Sequence, residues 1–120
     1  MHVLICEVLE IHTALKVITH VKLHDLLKDL SILNDDELRF ATNPLTHLDF
    51  LIYNHISKKP ILAVEVDGFS YHKEGSVQRN RDIMKNNILD KFNIPLVRFK
   101  TNGSGEKEKL IDKLDELLFE

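Results

Sequence analysis

Two apolar segments joined by a short polar connection constrain the fold of this chain more than any other feature. Residues 45–53 (LTHLDFLIY) and 61–67 (ILAVEVD) are rich in branched and aromatic side chains, and NHISKKP lies between them. Segments of this length and composition favour strands, and so short a connection favours their antiparallel pairing. The sequence therefore predicts a β-hairpin near the middle of the chain.

The segments before and after the hairpin predict helices on both sides of a sheet. Before it, apolar residues at helical spacing near the start predict a helix, followed by a strand at 17–23, a short helix at 24–30 and a polar loop at 31–44. After it, we expect a helix at 76–92, a strand at 95–99 and an amphipathic helix at 106–119. The main elements have the order αβββαβα, which indicates an α/β fold with a mixed sheet flanked by helices.

The length and composition indicate one soluble domain over residues 1–120. A chain of 120 residues suits a single core, and 29% charged residues with no apolar run of about 20 exclude a membrane-spanning protein. Cys6 is the only cysteine, which excludes disulfide and zinc–cysteine frameworks within the chain and favours the cytoplasm. The first helical residues follow Met1 closely, which leaves open that the chain is a fragment of a longer protein.

The charge is unevenly distributed along the chain. Residues 1–72 carry six Lys/Arg and ten Asp/Glu, whereas residues 73–100 carry seven Lys/Arg and three Asp/Glu. The basic excess therefore follows directly after the acidic residues of the predicted hairpin. A basic stretch beside an acidic cluster suits a phosphate-bearing substrate, and an ordinary mixed-charge surface is the alternative.

Three acidic residues interrupt the two predicted strands. Asp49 lies in the first, and Glu65 and Asp67 lie two apart in the second, so these two point to the same face. Antiparallel pairing has a register that sets Asp49 beside Glu65, where two carboxylates repel each other unless a cation joins them. We therefore predict that Asp49, Glu65 and Asp67 form a site for Mg²⁺ or Mn²⁺, with the main-chain carbonyl of Val66 as a further ligand. The alternative for each acid is a strand end at the surface or a salt bridge to Arg98.

The same residues resemble the PD-(D/E)XK restriction-endonuclease-like superfamily. The strand ending in EVDGFSYH is followed by a predicted helix with R-x-x-D-x-x-K at 79–85 and by the strand PLVRF. The resemblance is to the branch near very-short-patch-repair endonucleases, with its E-x-D-G domains associated with helicases or topoisomerases, and it covers roughly residues 10–119. It implies a restriction-endonuclease-like fold and a metal-dependent nuclease acting on DNA, or on RNA.

The resemblance also implies roles for individual residues. Asp49 and Glu65 match the two acidic metal ligands of the family motif, and Asp67 stands where that motif has its lysine. A basic group of the following helix, Lys85 or Arg81, would then replace the missing lysine. His72 matches a histidine after the glycine and would act as a general base or phosphate contact.

The remaining expectations concern nucleic-acid contacts and the rival functions. Lys73, Arg79, Arg81 and Lys85 are the predicted nucleic-acid contacts, and His47 shares the strand face of Asp49. Because an aspartate replaces the lysine, one rival is an inactive nuclease-like module that binds nucleic acid or a partner protein. Another is a purely structural accessory domain of a helicase-like protein.

Overall fold

Four strands form one mixed sheet in the order β1-β2-β3-β4, in a computed structural model that describes residues 1–67, 77–100 and 105–118. The strands are β1 Leu15–Lys22, β2 His47–Asn54, β3 Pro60–Asp67 and β4 Leu96–Lys100. β1 pairs with β2 and β2 with β3 in antiparallel fashion, whereas β3 and β4 run parallel. The predicted α/β fold with a mixed sheet is therefore confirmed.

Helices cover both faces of this sheet. They are α1 His2–Leu9, α2 Leu23–Leu26, α3 Asp35–Thr42, α4 Val77–Lys91 and α5 Glu106–Leu118, with a 3-10 turn at Leu30–Ile32. One core packs α1 and α5 on the sheet through residues such as Ile5, Ile52 and Leu114. The other core packs α2, α3 and α4 on the opposite face through residues such as Leu23 and Ile88. In the described part of the chain, no helix combines the length and apolar character needed to cross a bilayer.

The predicted loop at 31–44 is wrong, because it contains α3. Asn34 caps this helix by accepting a hydrogen bond from the Glu37 N–H at 2.8 Å, and the Glu37 side chain accepts one from the Asn34 N–H at 2.9 Å. Such a reciprocal capping box satisfies main-chain donors that a helix start otherwise leaves without partners. The helix also buries Ala41 in the core, so a polar segment still has one apolar face.

Two helices differ in detail from the expectation. The predicted helix at 24–30 is a single turn, α2, which Leu27 follows in an extended conformation. The sequence predicts one apolar stripe along α4 that includes Val77, Ile83, Ile88 and Leu89. Val77 and Ile83 are 75% and 46% exposed, whereas Ile88 and Leu89 are buried, so the C-terminal half of α4 anchors this helix on the sheet.

β2 loses its regular alternation at Asp49. Leu48 and Leu51 both belong to the core under α4, although side chains three positions apart in a regular strand point to opposite faces. Phe50, between them, packs against the other core. The backbone is therefore irregular at the position that carries the candidate metal ligand.

Candidate functional site

Asp49 and Glu65 lie together where β2 and β3 stop pairing. The last regular pair toward this end is Phe50 with Val64, so Asp49 and Glu65 are next in register. Here the Asp49 N–H donates to Glu65 Oε2 at 3.0 Å, and the Val66 N–H donates to Asp49 Oδ2 at 2.9 Å. Side-chain carboxylates thus accept hydrogen bonds that main-chain carbonyls accept elsewhere in the sheet, and this arrangement brings the two acids together.

Glu65 is held in an environment that disfavours its charge. Its side chain is only 5% exposed, and burial raises the pKa of this carboxyl above its ordinary value. The Lys85 ammonium opposes the rise, whereas the neighbouring Asp49 adds to it. A cation at this position therefore stabilises the carboxylate form of Glu65.

Lys85 supplies one positive charge to the site. Its ammonium group contacts Glu65 Oε1 and donates to the main-chain carbonyl of His47 at 2.8 Å. Only 14% of its side chain is exposed, so α4 presents this lysine to the sheet rather than to solvent. Lys85, one of the basic residues proposed from the sequence, is therefore placed at the acidic pair by its contacts.

Asp67 has a guanidinium neighbour. Arg98 Nη1 lies 3.2 Å from Asp67 Oδ1 and 3.3 Å from Asp82 Oδ1, and Arg98 Nη2 donates to Asn86 Oδ1 at 2.9 Å. Because Asp82 and Asn86 belong to α4, Asp67 faces this helix, as Glu65 does through Lys85. The salt bridge to Arg98, the alternative considered for each acid, is present for Asp67.

Two histidines adjoin Asp49. His47 Nε2 lies 3.8 Å from Asp49 Oδ1, as its shared strand face suggested, and its ring packs against the ring of His20 with centroids 5.2 Å apart. His20 lies across from Asp49, between the pairs Thr19 with Phe50 and Val21 with Leu48. Sequence reasoning did not select His20, because nothing local marks it as a neighbour of Asp49.

The site opens into a cavity on the side of α1. The cavity has a volume of about 480 Å³, and Asp49 and Val66 line it together with Met1, His2, Thr19, His20 and Phe50. Ligand pockets commonly have volumes of a few hundred cubic ångströms. A group the size of a nucleotide can therefore approach Asp49 from this side.

The other predicted site residues are exposed or lie outside the described part of the chain. Arg79 and Arg81 are exposed on α4, and His72 and Lys73 lie outside the described residues. Among the side chains that the structure describes, no three from His, Cys, Asp and Glu form a group that could hold a metal ion. Within the described residues, the carboxylates of Asp49 and Glu65 are the oxygen donors that lie together at this end of the sheet.

Comparison with known proteins identifies a family for almost the whole chain. No curated protein and no solved structure matches the chain. A family model with the description "Protein of unknown function (DUF2726)" matches residues 5–117, which include every described strand and the acidic pair. The chain therefore belongs to the DUF2726 family.

Proposed function

We propose that this domain is a divalent-metal-dependent nuclease that hydrolyses phosphodiester bonds of DNA. The observation that carries the proposal is the pairing of Asp49 with Glu65, whose backbone and side-chain hydrogen bonds hold two carboxylates side by side. Such an arrangement costs free energy through charge repulsion and burial, and a bound cation offsets that cost. Chains that retain such an arrangement commonly use it for function.

The residues fit Mg²⁺ or Mn²⁺. Asp49 and Glu65 would hold the ion with the Val66 carbonyl, since these cations prefer oxygen ligands and keep several waters. When bound, such an ion supplies a water of lowered pKa and polarises the phosphodiester. Hydrolysis then forms one bond from the water oxygen to phosphorus and breaks one ester bond, and the departing oxygen takes a proton.

Lys85 would take the role of the motif's lysine, whose position Asp67 occupies. Its ammonium group already contacts Glu65, from α4 rather than from β3. From this position it can orient a water beside Glu65 and stabilise the negative charge that develops on the phosphate. Asp67 is then needed neither as a base nor as a direct metal ligand. The role of Asp67 would be indirect, through water or Arg98.

The proposed nucleic-acid substrate is inferred from the basic segment of the chain. Residues 73–100 carry seven Lys/Arg and three Asp/Glu, and Arg79 and Arg81 are exposed on α4. Exposed arginines on the helix that carries Lys85 suit contacts to the phosphate backbone of DNA, or of RNA. We extend the proposal to a cytoplasmic location and to a helicase domain, in the same or another chain, as partner.

Cleavage assays with a matched variant test this function. We expect the purified protein to cut nicked, mismatched or single-stranded DNA with Mg²⁺ or Mn²⁺ and not with EDTA. Asp49→Asn should lower the rate at least about 100-fold, because it removes one charged ligand. Asp115→Asn, a change at an exposed position of α5, should leave the rate unchanged. An Asp49→Asn variant as active as the wild type would refute the assignment.

The second candidate is a nuclease-like module that only binds nucleic acid or a partner protein. The salt bridge between Asp67 and Arg98 favours it, because an acid neutralised in this way occupies the usual place of the lysine. Calorimetric titration separates the two functions. Affinity for DNA without binding of Mg²⁺ at millimolar concentration would support the module, whereas binding of Mg²⁺ that Asp49→Asn abolishes would support the nuclease.

A further inference from the structure

His20 has a backbone conformation that is unusual inside a strand. Its φ angle is +52°, whereas the other described non-glycine residues with positive φ, Lys58 and Asn93, lie in the connections before β3 and β4. For an L-residue this left-handed conformation costs about 1–2 kcal/mol, so it persists only where the surrounding structure enforces it. Residues held in this way cluster at functional sites.

The conformation occurs beside the candidate metal ligand. His20 lies across β1 and β2 from Asp49, and its exposed side chain lines the same cavity as Asp49 and Val66. The ring packs against His47, whose Nδ1 lies 3.1 Å from the main-chain oxygen of Leu45. This hydrogen bond fixes the His47 ring and, through ring packing, restricts the ring of His20.

We propose that His20 binds substrate by donating a hydrogen bond to a phosphate of the nucleic-acid strand next to the scissile bond. A neutral imidazole always carries one N–H, and phosphate oxygens are strong acceptors. The position on the cavity wall beside Asp49 places this donor where a strand would pass the metal. The inference rests on the proposed nuclease function and adds a substrate-binding residue to it.

The test measures binding without cleavage. The probe is a fluorescein-labelled 12-nucleotide DNA with Ca²⁺ in place of Mg²⁺, and gel electrophoresis checks that the probe stays uncut. His20→Gly tolerates the positive φ but lacks the donor, and we expect about tenfold weaker binding with a melting temperature no lower than that of the wild type. His20→Asn, which also tolerates this conformation and keeps an N–H donor, should bind with intermediate affinity. Asn93→Gly, the matched change at another positive φ of +57°, should bind like the wild type.

Each result has a distinct meaning. If the wild type binds the oligonucleotide and both His20 variants bind it equally well, this inference is wrong while the proposed function stands. If His20→Gly loses binding only together with a large fall in melting temperature and His20→Asn does the same, the residue is structural and the inference is again wrong. If the wild type binds no oligonucleotide with or without metal, the proposed function and this inference fail together.

Discussion

Replacing Lys85 tests whether its ammonium group compensates the acidic pair. The ammonium contacts Glu65, and the two side chains are 14% and 5% exposed. Lys85→Met keeps a long apolar chain on α4 but leaves Glu65 as a buried carboxylate beside Asp49. Removing one partner of a buried ion pair commonly costs 3–5 kcal/mol, and because Lys85 keeps some exposure we expect about 3 kcal/mol. For a domain of this size that corresponds to a fall of roughly 10 °C in melting temperature.

The loss of stability in Lys85→Met should depend on pH in a defined direction. Burial raises the pKa of Glu65 in the folded protein, and loss of the ammonium raises this pKa further. A group with a raised folded pKa stabilises the fold fully below its unfolded pKa of about 4.3, and that contribution is lost as pH rises through the folded pKa. The deficit of Lys85→Met relative to the wild type should therefore be large at pH 7.5 and smaller at pH 5.

Thermal unfolding followed by circular dichroism in EDTA measures this effect. The double variant Lys85→Met with Glu65→Gln should recover most of the loss at pH 7.5, because no carboxylate then remains to be compensated. Arg81→Met, an exposed change on the same helix, should shift the free energy of unfolding by less than about 0.5 kcal/mol. Mg²⁺ should stabilise Lys85→Met more than the wild type, because it replaces the missing charge. A Lys85→Met variant that melts within about 2 °C of the wild type at both pH values would refute this reasoning.

Two further changes test the contacts that support the site and the fold. Arg98→Met should lower the free energy of unfolding by about 2–3 kcal/mol, because Asp67 and Asp82 both lose contact with a guanidinium. Arg98→Lys keeps a positive charge and should lower the free energy of unfolding by less. An unchanged urea midpoint for Arg98→Met would contradict this role. Asn34→Ala should cost about 1 kcal/mol in urea unfolding by removing one half of the capping box of α3, whereas Asn34→Asp keeps an acceptor and should cost little. Equal midpoints for Asn34→Ala and Asn34→Asp would show that this cap contributes nothing measurable.

The central hairpin could be predicted from the sequence because its signals are local. β2 and β3 are apolar runs joined by a short connection, and this pattern determines both strand type and antiparallel pairing. α3 was missed although its start carries a signal, the Asn34 cap followed by Glu37 three residues later. The segment is mostly polar because only one face of such a short helix is buried, so its composition favoured a loop. Greater weight on the capping pattern would have identified it.

The contact between Asp49 and Glu65 was predicted from the sequence, and so was the nearness of His47 to Asp49. Antiparallel pairing has a register that sets Asp49 beside Glu65, so the hairpin pattern sufficed to suggest the contact. The salt bridge of Asp67 with Arg98 was considered only as an alternative for each acid. It depends on the parallel pairing of β3 with β4, which is a long-range arrangement that no local pattern determines. The positive φ of His20 has no local signal, because it arises where β1 faces the irregularity of β2.

The charges around these acids are compatible with the proposed metal site, in which Asp67 would stand at the position of the motif's lysine. Asp67 is matched by Arg98 from β4, and Glu65 is matched by Lys85 from α4. Among the described residues, Asp49 contacts a main-chain N–H, an imidazole and the Glu65 carboxyl, whereas Lys85 and Arg98 contact the other two acids. A divalent cation held by Asp49 and Glu65 would more than offset the one carboxylate that has no Lys or Arg beside it among the described residues, and it would leave both existing pairs intact. In the proposed nuclease, Lys85 of α4 would then take the role of the lysine, because the Asp67 carboxylate is paired with Arg98.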